Sequence, residues 1–318
     1  MQRIAGRGHK DATNSRWMRN EHILPPLTPD RTVEAYPRKA RITGSRGPMK
    51  PLRIALHQGP PGVPASREES LASLERAAAR AAASGARLLV TAELRLTGYA
   101  VGDDPPGRSA GEDGPAAREV SAIAARHRIA LAFGRPEREG AAVYNAVRLT
   151  GPDGAVLADY RKTHLYGDFE AGRFVPGDRL VVQAELDGLR IGLLICYDVE
   201  FPEAVRAHAL AGTDLLLVPT ALMRPYEFVA RTLVPARAWE NQLYIAYANR
   251  CGPEGEWDFA GLSCLAAPDG TVPARAGAHE ELLVADVDPA VLSASRARNP
   301  YLSDRRPELY GPLVRPAA

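Results

Sequence analysis

Short apolar runs alternate with helical patterns from residue 51 onward, and this alternation is the strongest constraint on the fold. Runs such as LRIALHQ and ARLLVTAE have the length and composition of buried strands. The segments between them have helical periodicity, and one begins with a capping box formed by Ser66 and Glu69. The turn sequence GPDG between AVYNAVRLT and AVLADYRK adds a hairpin. The pattern predicts a mixed sheet with helices packed outside, and it shows no internal sequence repeat.

The sequence divides into three stretches. Residues 1–48 contain ten Lys or Arg against four Asp or Glu and lack periodicity, which predicts a poorly ordered basic extension. A basic arm for nucleic acid or membrane is the minor alternative. Residues 49–288 carry the alternating pattern and form the predicted folded domain. Residues 289–318 are rich in Pro, Arg and Ser, which predicts a C-terminal tail, either a disordered end or an arm at a subunit interface.

The composition excludes several functional classes. The 318 residues have a net charge of only +2, which argues against nucleic acid as the main partner. No run approaches the roughly 20 apolar residues of a membrane span. Three cysteines without CxxC spacing suit a reducing compartment, and we expect a cytoplasmic protein. The histidines lack metal-ligand spacing and the glycines lack a nucleotide-binding pattern, so we expect no metal and no cofactor.

Cys196 is the most informative candidate residue. It follows the apolar run IGLLI and precedes YDVEFPEAV, where Pro202 can begin a helix. A thiol at such a strand-to-helix turn lies at the carboxyl edge of the sheet, where backbone N–H groups can serve as oxyanion donors. A buried structural cysteine is equally compatible with this position.

Three charged residues stand at or after the ends of other strands. Glu93 ends a very apolar strand, where desolvation raises a carboxyl pKa towards that of a general base. A simple ion pair with a cation such as Arg95 is its alternative. Lys162 can favour a thiolate or stabilise an oxyanion, and Glu170 can hold that lysine or position a substrate. Taken singly, Lys162 and Glu170 are also compatible with solvated surface charge.

Taken in order, three segments resemble the nitrilase superfamily of carbon–nitrogen hydrolases. They are TAELRLTGY with the glutamate, DYRKTHLYGDFE with the lysine and GLLICYDVEFPE with the cysteine. The flanking pieces YNAVRLTGPDG, FVPGD, LVPTALM and ENQLYIAYANRCG also match the family. The resemblance covers about residues 51–287.

The resemblance implies a single-domain, four-layer αββα sandwich that assembles into homodimers or larger homo-oligomers. It implies Glu93 as general base, Lys162 as oxyanion stabiliser and Cys196 as nucleophile. Glu170 matches a second family glutamate that helps position the substrate. The backbone N–H of Tyr197 would complete the oxyanion hole.

The residues after the cysteine favour an amide substrate over a nitrile. True nitrilases usually have Cys-Trp-Glu, whereas this sequence has Cys196-Tyr197-Asp198. The sequence looks most like bacterial amidases that act on small aliphatic or chiral carboxamides. Met223 and Tyr226 are candidates for the acyl pocket, with ordinary core packing as the alternative.

We therefore predict an amidase that forms a thioester on its cysteine. An N-carbamoyl hydrolase or a nitrilase of the same superfamily is the alternative. Glu200 would repel a substrate carboxylate, although Arg173 and Arg224 could compensate. A non-catalytic interaction protein with this fold is the alternative of a different class. It has no need to keep the glutamate, the lysine and the cysteine together.

Overall fold

The computed structural model describes residues 50–100 and 114–314. The predicted basic extension, residues 1–48, lies outside the described residues. No helix within the described ranges combines the length and the apolar character needed to cross a bilayer.

The described elements follow the predicted alternation. The strands are β1 (Leu52–Gln58), β2 (Leu88–Thr91), β3 (Ala130–Glu139), β4 (Ala142–Thr150), β5 (Val156–Arg161), β6 (Gln183–Leu186), β7 (Leu189–Leu193), β8 (Leu215–Pro219), β9 (Tyr244–Ala248), β10 (Cys251–Glu254), β11 (Trp257–Ala260), β12 (Cys264–Ala266), β13 (Ala274–Arg275) and β14 (Glu281–Val287). The helices are α1 (Arg67–Ala83), α2 (Pro115–His127), α3 (Gly167–Ala171), α4 (Pro202–Leu210), α5 (Val234–Asn241), α6 (Pro289–Arg298) and α7 (Tyr301–Asp304).

The strands form two six-stranded sheets, ordered β14-β1-β2-β3-β4-β5 and β13-β12-β9-β8-β7-β6, and a separate β10–β11 hairpin. In the first sheet β1, β2 and β3 run parallel, and β4, β5 and β14 pair antiparallel. In the second, β7, β8 and β9 run parallel, and β12, β13 and β6 pair antiparallel. Read from β14 and from β6 respectively, the two sheets therefore have the same order of parallel and antiparallel pairs.

The elements form four layers. The largest buried cluster draws apolar side chains from both sheets, including Ile54 of the first and Leu216 of the second, and also from α4 and α5. A separate cluster packs α1 and α2 against the first sheet, with Leu74 and Phe133 buried in it. This arrangement confirms the predicted αββα sandwich in a single domain. Its central parallel strands are buried on both faces, as their near-continuous apolar composition requires.

Two local predictions are confirmed in detail. The Ser66 hydroxyl accepts a hydrogen bond from the Glu69 backbone N–H at 3.1 Å, and Gly85 ends α1 in the left-handed region at φ 81°. The GPDG turn joins β4 to β5, with the Gly151 N–H donating to the Ala155 carbonyl at 2.7 Å. These contacts show capping and turn chemistry that is readable from sequence.

The first part of the predicted C-terminal tail is the helix α6. Leu292 is buried, and the Ser295 hydroxyl donates to the Pro268 carbonyl at 2.7 Å. The Arg296 guanidinium donates to the Asp214 carboxylate at 2.9 Å. These contacts hold residues 289–298 against the folded domain. The position of the tail at a subunit interface stays a prediction.

Two glycines allow close backbone approaches beside the strand ends that carry charged residues. A Cβ on Gly134 would lie 2.5 Å from the Leu94 amide nitrogen, directly after Glu93. A Cβ on Gly177 would lie 2.4 Å from the Arg161 carbonyl oxygen, directly before Lys162. Only glycine fits at both positions without displacing these backbones.

Candidate active site

The structure brings together four residues that the sequence singles out. Glu93 lies two residues after β2, Lys162 directly after β5, and Cys196 three residues after β7. Glu170 lies on the short helix α3. The turns after β2 and β8 meet where the Glu93 N–H donates to the Thr220 carbonyl at 3.3 Å. The site therefore forms where strand ends of the two sheets converge.

The Lys162 ammonium lies between two carboxylates. Its Nζ donates to Glu93 Oε1 at 2.8 Å and to Glu170 Oε1 at 2.7 Å, and all three side chains are fully buried. Burial alone would lower the pKa of Lys162, but the two carboxylates outweigh it and raise the pKa above its usual range. The ammonium has three N–H donors, and two are used by the carboxylates. One donor remains for a further acceptor.

The two oxygens of Glu93 have different surroundings. Oε1 accepts hydrogen bonds from Asn145 Nδ2 at 2.6 Å and from Lys162 Nζ at 2.8 Å. Oε2 is buried and has no hydrogen-bond partner among the described residues. Burial raises the pKa of Glu93 to about 7, because the opposing effects of Lys162 and Asn145 only partly offset desolvation. The carboxyl group is thus suited to exchange a proton near neutral pH.

The alternative pairing of Glu93 with Arg95 is wrong. The Arg95 guanidinium donates instead to the Ser73 hydroxyl at 2.7 Å, on helix α1. Glu93 and Arg95 lie two residues apart in the same turn, but their side chains contact different parts of the protein.

Glu170 is held by three donors. Its Oε1 accepts from Lys162 Nζ and from the Tyr99 hydroxyl at 2.9 Å, and its Oε2 accepts from the Tyr166 backbone N–H at 2.8 Å. The Tyr99 ring stacks on Phe169 with ring centroids 5.4 Å apart. The carboxylate is therefore fixed relative to the ammonium.

Cys196 begins a 3-10 turn, Cys196–Glu200, that leads into α4. Its backbone φ is 47°, in the left-handed region that non-glycine residues rarely adopt. Such a conformation at a strand-to-helix turn points a side chain out of the sheet edge. Burial and the nearby Glu93 raise the pKa of the Cys196 thiol well above its usual value, against the opposing charge of Lys162. A base would therefore be needed to convert this thiol to a thiolate.

Asp198 fixes the turn that carries the cysteine. Its buried carboxylate accepts from the Ile195 N–H at 3.0 Å and from the Tyr160 hydroxyl at 2.8 Å. It also accepts from the Thr163 hydroxyl and from the His164 N–H, both at 2.9 Å. Tyr160, Thr163 and His164 flank Lys162 in sequence, whereas Ile195 directly precedes the cysteine. One carboxylate therefore joins the lysine segment to the cysteine turn.

The predicted pocket residues occupy different surroundings. The Tyr197 ring packs edge-on against Tyr166 and Phe201, next to the cysteine. Met223 is buried in an apolar cluster that also contains Tyr99. Tyr226 is 48% exposed and lies near enough to Tyr166 to help raise the pKa of that hydroxyl.

Sequence reasoning missed three side chains of this site. Tyr99, Asn145 and Asp198 all lie inside segments that resemble the family, namely LTGY, YNAV and CYDVE. Their position in these segments was the signal by which the sequence could have identified them as site residues. The long-range hydrogen bonds that define their surroundings cannot be read from spacing.

Among the residues that the structure describes, no group of three or more His, Cys, Asp or Glu is arranged to hold a metal ion.

Comparison with known proteins identifies the family. Residues 53–297 match the carbon–nitrogen hydrolase family. The chain belongs to this family. It is therefore a hydrolase of carbon–nitrogen bonds other than peptide bonds, with the fold of the nitrilase superfamily.

Individual relatives agree with the family match. The chain is 47% identical to a protein of Pseudomonas protegens named "Hydrolase in pqqF 5'region", over 83% of this chain and 93% of the relative. It is 37% identical to an (R)-stereoselective amidase of a Pseudomonas species, over 70% and 81% of the two chains.

Solved structures of an amidase from Nesterenkonia sp. AN1 share the fold. Its complex with butyramide, in a cysteine-to-alanine variant, has a TM-score of 0.74 and 40% identity, over 81% of this chain and 95% of that one. Another structure of the same amidase carries the acetamide moiety of fluoroacetamide covalently on the active-site cysteine, at 40% identity and a TM-score of 0.75, over 83% and 97% of the two chains.

We expect Asp198→Asn to destabilise the protein, because the amide nitrogen of asparagine would face donors that now share a carboxylate. Leaving buried donors unsatisfied costs about 1–3 kcal/mol. Urea denaturation should show a loss of unfolding free energy of this size, with a lower kcat. The exposed Asp178→Asn is the matched control and should leave both unchanged. Wild-type stability in Asp198→Asn would contradict the role of this carboxylate.

Proposed function

We propose that the protein is an amidase that hydrolyses a small carboxamide to the carboxylic acid and ammonia through a thioester on Cys196. The observation that carries this proposal is the asymmetric environment of Glu93. One carboxylate oxygen is fixed by Lys162 and Asn145, and the other is buried with no hydrogen-bond partner among the described residues. The Glu93 charge is near enough to Cys196 to help raise the pKa of the thiol. A buried oxygen left free in this way suits a proton acceptor.

Acylation follows from these groups. Glu93 takes the Cys196 proton, and the sulfur forms a bond to the amide carbon as the carbonyl π electrons move to oxygen. The remaining Lys162 N–H donor and the Tyr197 backbone N–H stabilise this oxyanion. The C–N bond then breaks, and the nitrogen leaves as ammonia with the proton held by Glu93.

Deacylation uses the same residues in the same roles, with water in place of the thiol as nucleophile. Glu93 removes a proton from water, and the oxygen attacks the thioester carbon. The tetrahedral intermediate uses the same two oxyanion donors. The C–S bond breaks, the acid is released and the proton returns to sulfur. Glu170 positions the substrate and holds Lys162 in place throughout.

The charges around the site support a neutral substrate. Glu200 lies near Lys162, and in its ionised form it would repel a substrate carboxylate placed beside it. The arginines that could compensate are already engaged. Arg224 pairs with Glu227 at 2.8 Å, and Arg173 donates to the Phe169 carbonyl at 3.1 Å. These contacts favour a small amide over an N-carbamoyl acid, in agreement with the butyramide bound by the Nesterenkonia amidase.

Cys196→Ala should abolish ammonia release from butyramide, because removing a nucleophile typically costs at least about 10³-fold in rate. Mass spectrometry of the wild-type protein after brief exposure to substrate should show an acyl adduct on Cys196. Cys251→Ala, which changes another cysteine, should retain the activity and the adduct. Normal hydrolysis by Cys196→Ala would refute the mechanism. No hydrolysis of any amide by the wild type would favour the non-catalytic alternative.

The activity should rise with pH because Glu93 must be ionised to accept the thiol proton. With a Glu93 pKa of about 7, kcat/KM should increase through neutrality as one proton is lost. Asn145→Ala removes a hydrogen bond that favours the carboxylate, so it should move this midpoint to higher pH. Asp178→Asn should not move it. A profile that is flat from about pH 5 to 9, or a midpoint unmoved by Asn145→Ala, would exclude Glu93 as the titrating base.

We further propose that the protein acts in the cytoplasm as a homodimer or larger homo-oligomer, with residues 289–318 at the interface. Its three cysteines are all free, as a reducing compartment requires. Several large apolar side chains of the C-terminal segment are exposed: Tyr301 at 41%, Leu309 at 58% and Leu313 at 67%. Apolar area concentrated in this way is typical of a contact surface.

Light scattering after size exclusion should therefore give a mass of at least two chains. Leu309→Asp combined with Leu313→Asp should shift the distribution towards one chain, because each introduces a charge into the proposed interface. Val156→Asp, on the exposed face of β5, is the control and should leave the mass distribution unchanged. A monomeric wild-type protein would overturn this assembly.

A further inference from the structure

A cavity of about 290 Å³ lies between helix α1 and the loop that follows β1. Its lining contains none of the four residues placed in the catalytic centre. It does contain four nitrogen-bearing side chains, namely His57, Arg76, Arg80 and Arg95. The volume is close to the lower limit of small-molecule sites, which start at roughly 300 Å³.

Two of these arginines lie one helical turn apart. Arg76 and Arg80 are at positions i and i+4 of α1, so their charges face the same side of the helix. Both are exposed, and neither forms a salt bridge or side-chain hydrogen bond within the described residues. Like charges at this spacing repel each other, and an anion between them would relieve the repulsion.

Two buried polar side chains line the cavity, and each has a nitrogen atom without a hydrogen-bond partner among the described residues. Arg95 is 3% exposed, and its Nε has no hydrogen-bond partner within residues 50–100 and 114–314, although its terminal nitrogen donates to Ser73. His57 is also 3% exposed, and its Nδ1 has no hydrogen-bond partner in the part of the chain that the structure describes. Burial lowers the pKa of His57 to about 3, with the three arginines adding to the effect. The imidazole is therefore neutral, and the cavity has a guanidinium at its base.

Two glutamates also line the cavity. Glu69 is already engaged, because its Oε2 accepts the Ala65 N–H at 2.6 Å as part of the cap of α1. Glu280 is exposed and acts on the buried Arg95 only as a nearby charge. Three arginines against two glutamates leave an excess of positive charge. A buried guanidinium without a bonded carboxylate is an arrangement that native proteins usually satisfy with a ligand or water.

We propose that this cavity binds a small oxyanion of the phosphate type, held by Arg76, Arg80 and Arg95. Guanidinium groups suit this ligand because their planar N–H donors match the oxygens of a phosphate group. A neutral amide carries no negative charge that three guanidinium groups could pair with. This site therefore takes a different ligand from the catalytic centre. The proposal does not depend on the proposed catalytic mechanism.

The test is the binding of inorganic phosphate to the full chain, with sodium chloride keeping the ionic strength constant. Calorimetry should show saturable binding at one site, and saturating phosphate should raise Tm by about 2–4 °C. Arg76→Ala combined with Arg80→Ala should weaken the binding at least about 10-fold, because both exposed donors are lost. Glycerol phosphate in a parallel titration distinguishes a free ion from a phosphate ester.

Arg67→Ala combined with Arg298→Ala is the matched control. It removes the same charge from exposed helix positions that do not line the cavity, so phosphate binding should be retained. Unsaturable binding to the wild type, or equal weakening in both double variants, would show only general electrostatic attraction and overturn the proposal. Tm without phosphate shows whether each variant is folded. If the double variant is unfolded, the single Arg80→Gln carries the same comparison.

Discussion

The buried ammonium of Lys162 is the interaction on which the rest of the site depends. A cation without water is stable only when opposite charges and hydrogen bonds replace the solvent. Glu93 and Glu170 supply both at 2.8 and 2.7 Å, and they thereby fix their own positions. Removing either carboxylate would leave an excess buried charge. The same arrangement that stabilises the ammonium also orients the Glu93 carboxyl, the proposed general base.

The surrounding fold holds these charges by short links between strand ends. Gly134 lets the turn after Glu93 approach β3, and Gly177 lets a later loop approach the end of β5. Asp198 joins the lysine segment to the cysteine turn through hydrogen bonds to four residues. The proposed catalytic groups come from segments far apart in sequence. Their relative positions therefore depend on backbone contacts that leave little room for side chains.

Much of the architecture was predictable, because burial on both faces makes the central strands nearly continuous apolar runs. The helix α1 was predictable from Ser66 and Glu69, since capping is a local interaction. The small hairpin β10–β11 was not predicted, because its strands are four residues each and contain Gly252 and Pro253. The helix α6 was not predicted either, since its apolar positions are few and its stability comes from contacts such as Ser295 with Pro268.

Three charged residues and one cysteine were selected as site candidates from their segments taken together. Their ion-pair partners and the shifts of their pKa values were not predicted. Whether Glu93 pairs with Arg95 or Lys162 depends on which way each side chain leaves a turn. Sequence spacing does not determine that direction. The same holds for Tyr99 and Asn145, whose partners lie 71 and 52 residues away.

The matching order of the two sheets has a consequence beyond architecture. It relates the two halves of the domain by an internal pseudo-symmetry that the sequence does not show, in which the turn after β1 corresponds to the cysteine turn after β7. Gly59 in the first turn is close to Arg95, since a Cβ on Gly59 would lie 3.2 Å from the Arg95 Nε, whereas the second turn carries Cys196. The arginine-lined cavity therefore lies beside the turn that corresponds, in strand order, to the cysteine turn. The carboxyl end of a parallel strand carries a thiol in one sheet, and the corresponding strand end in the other sheet adjoins a buried guanidinium.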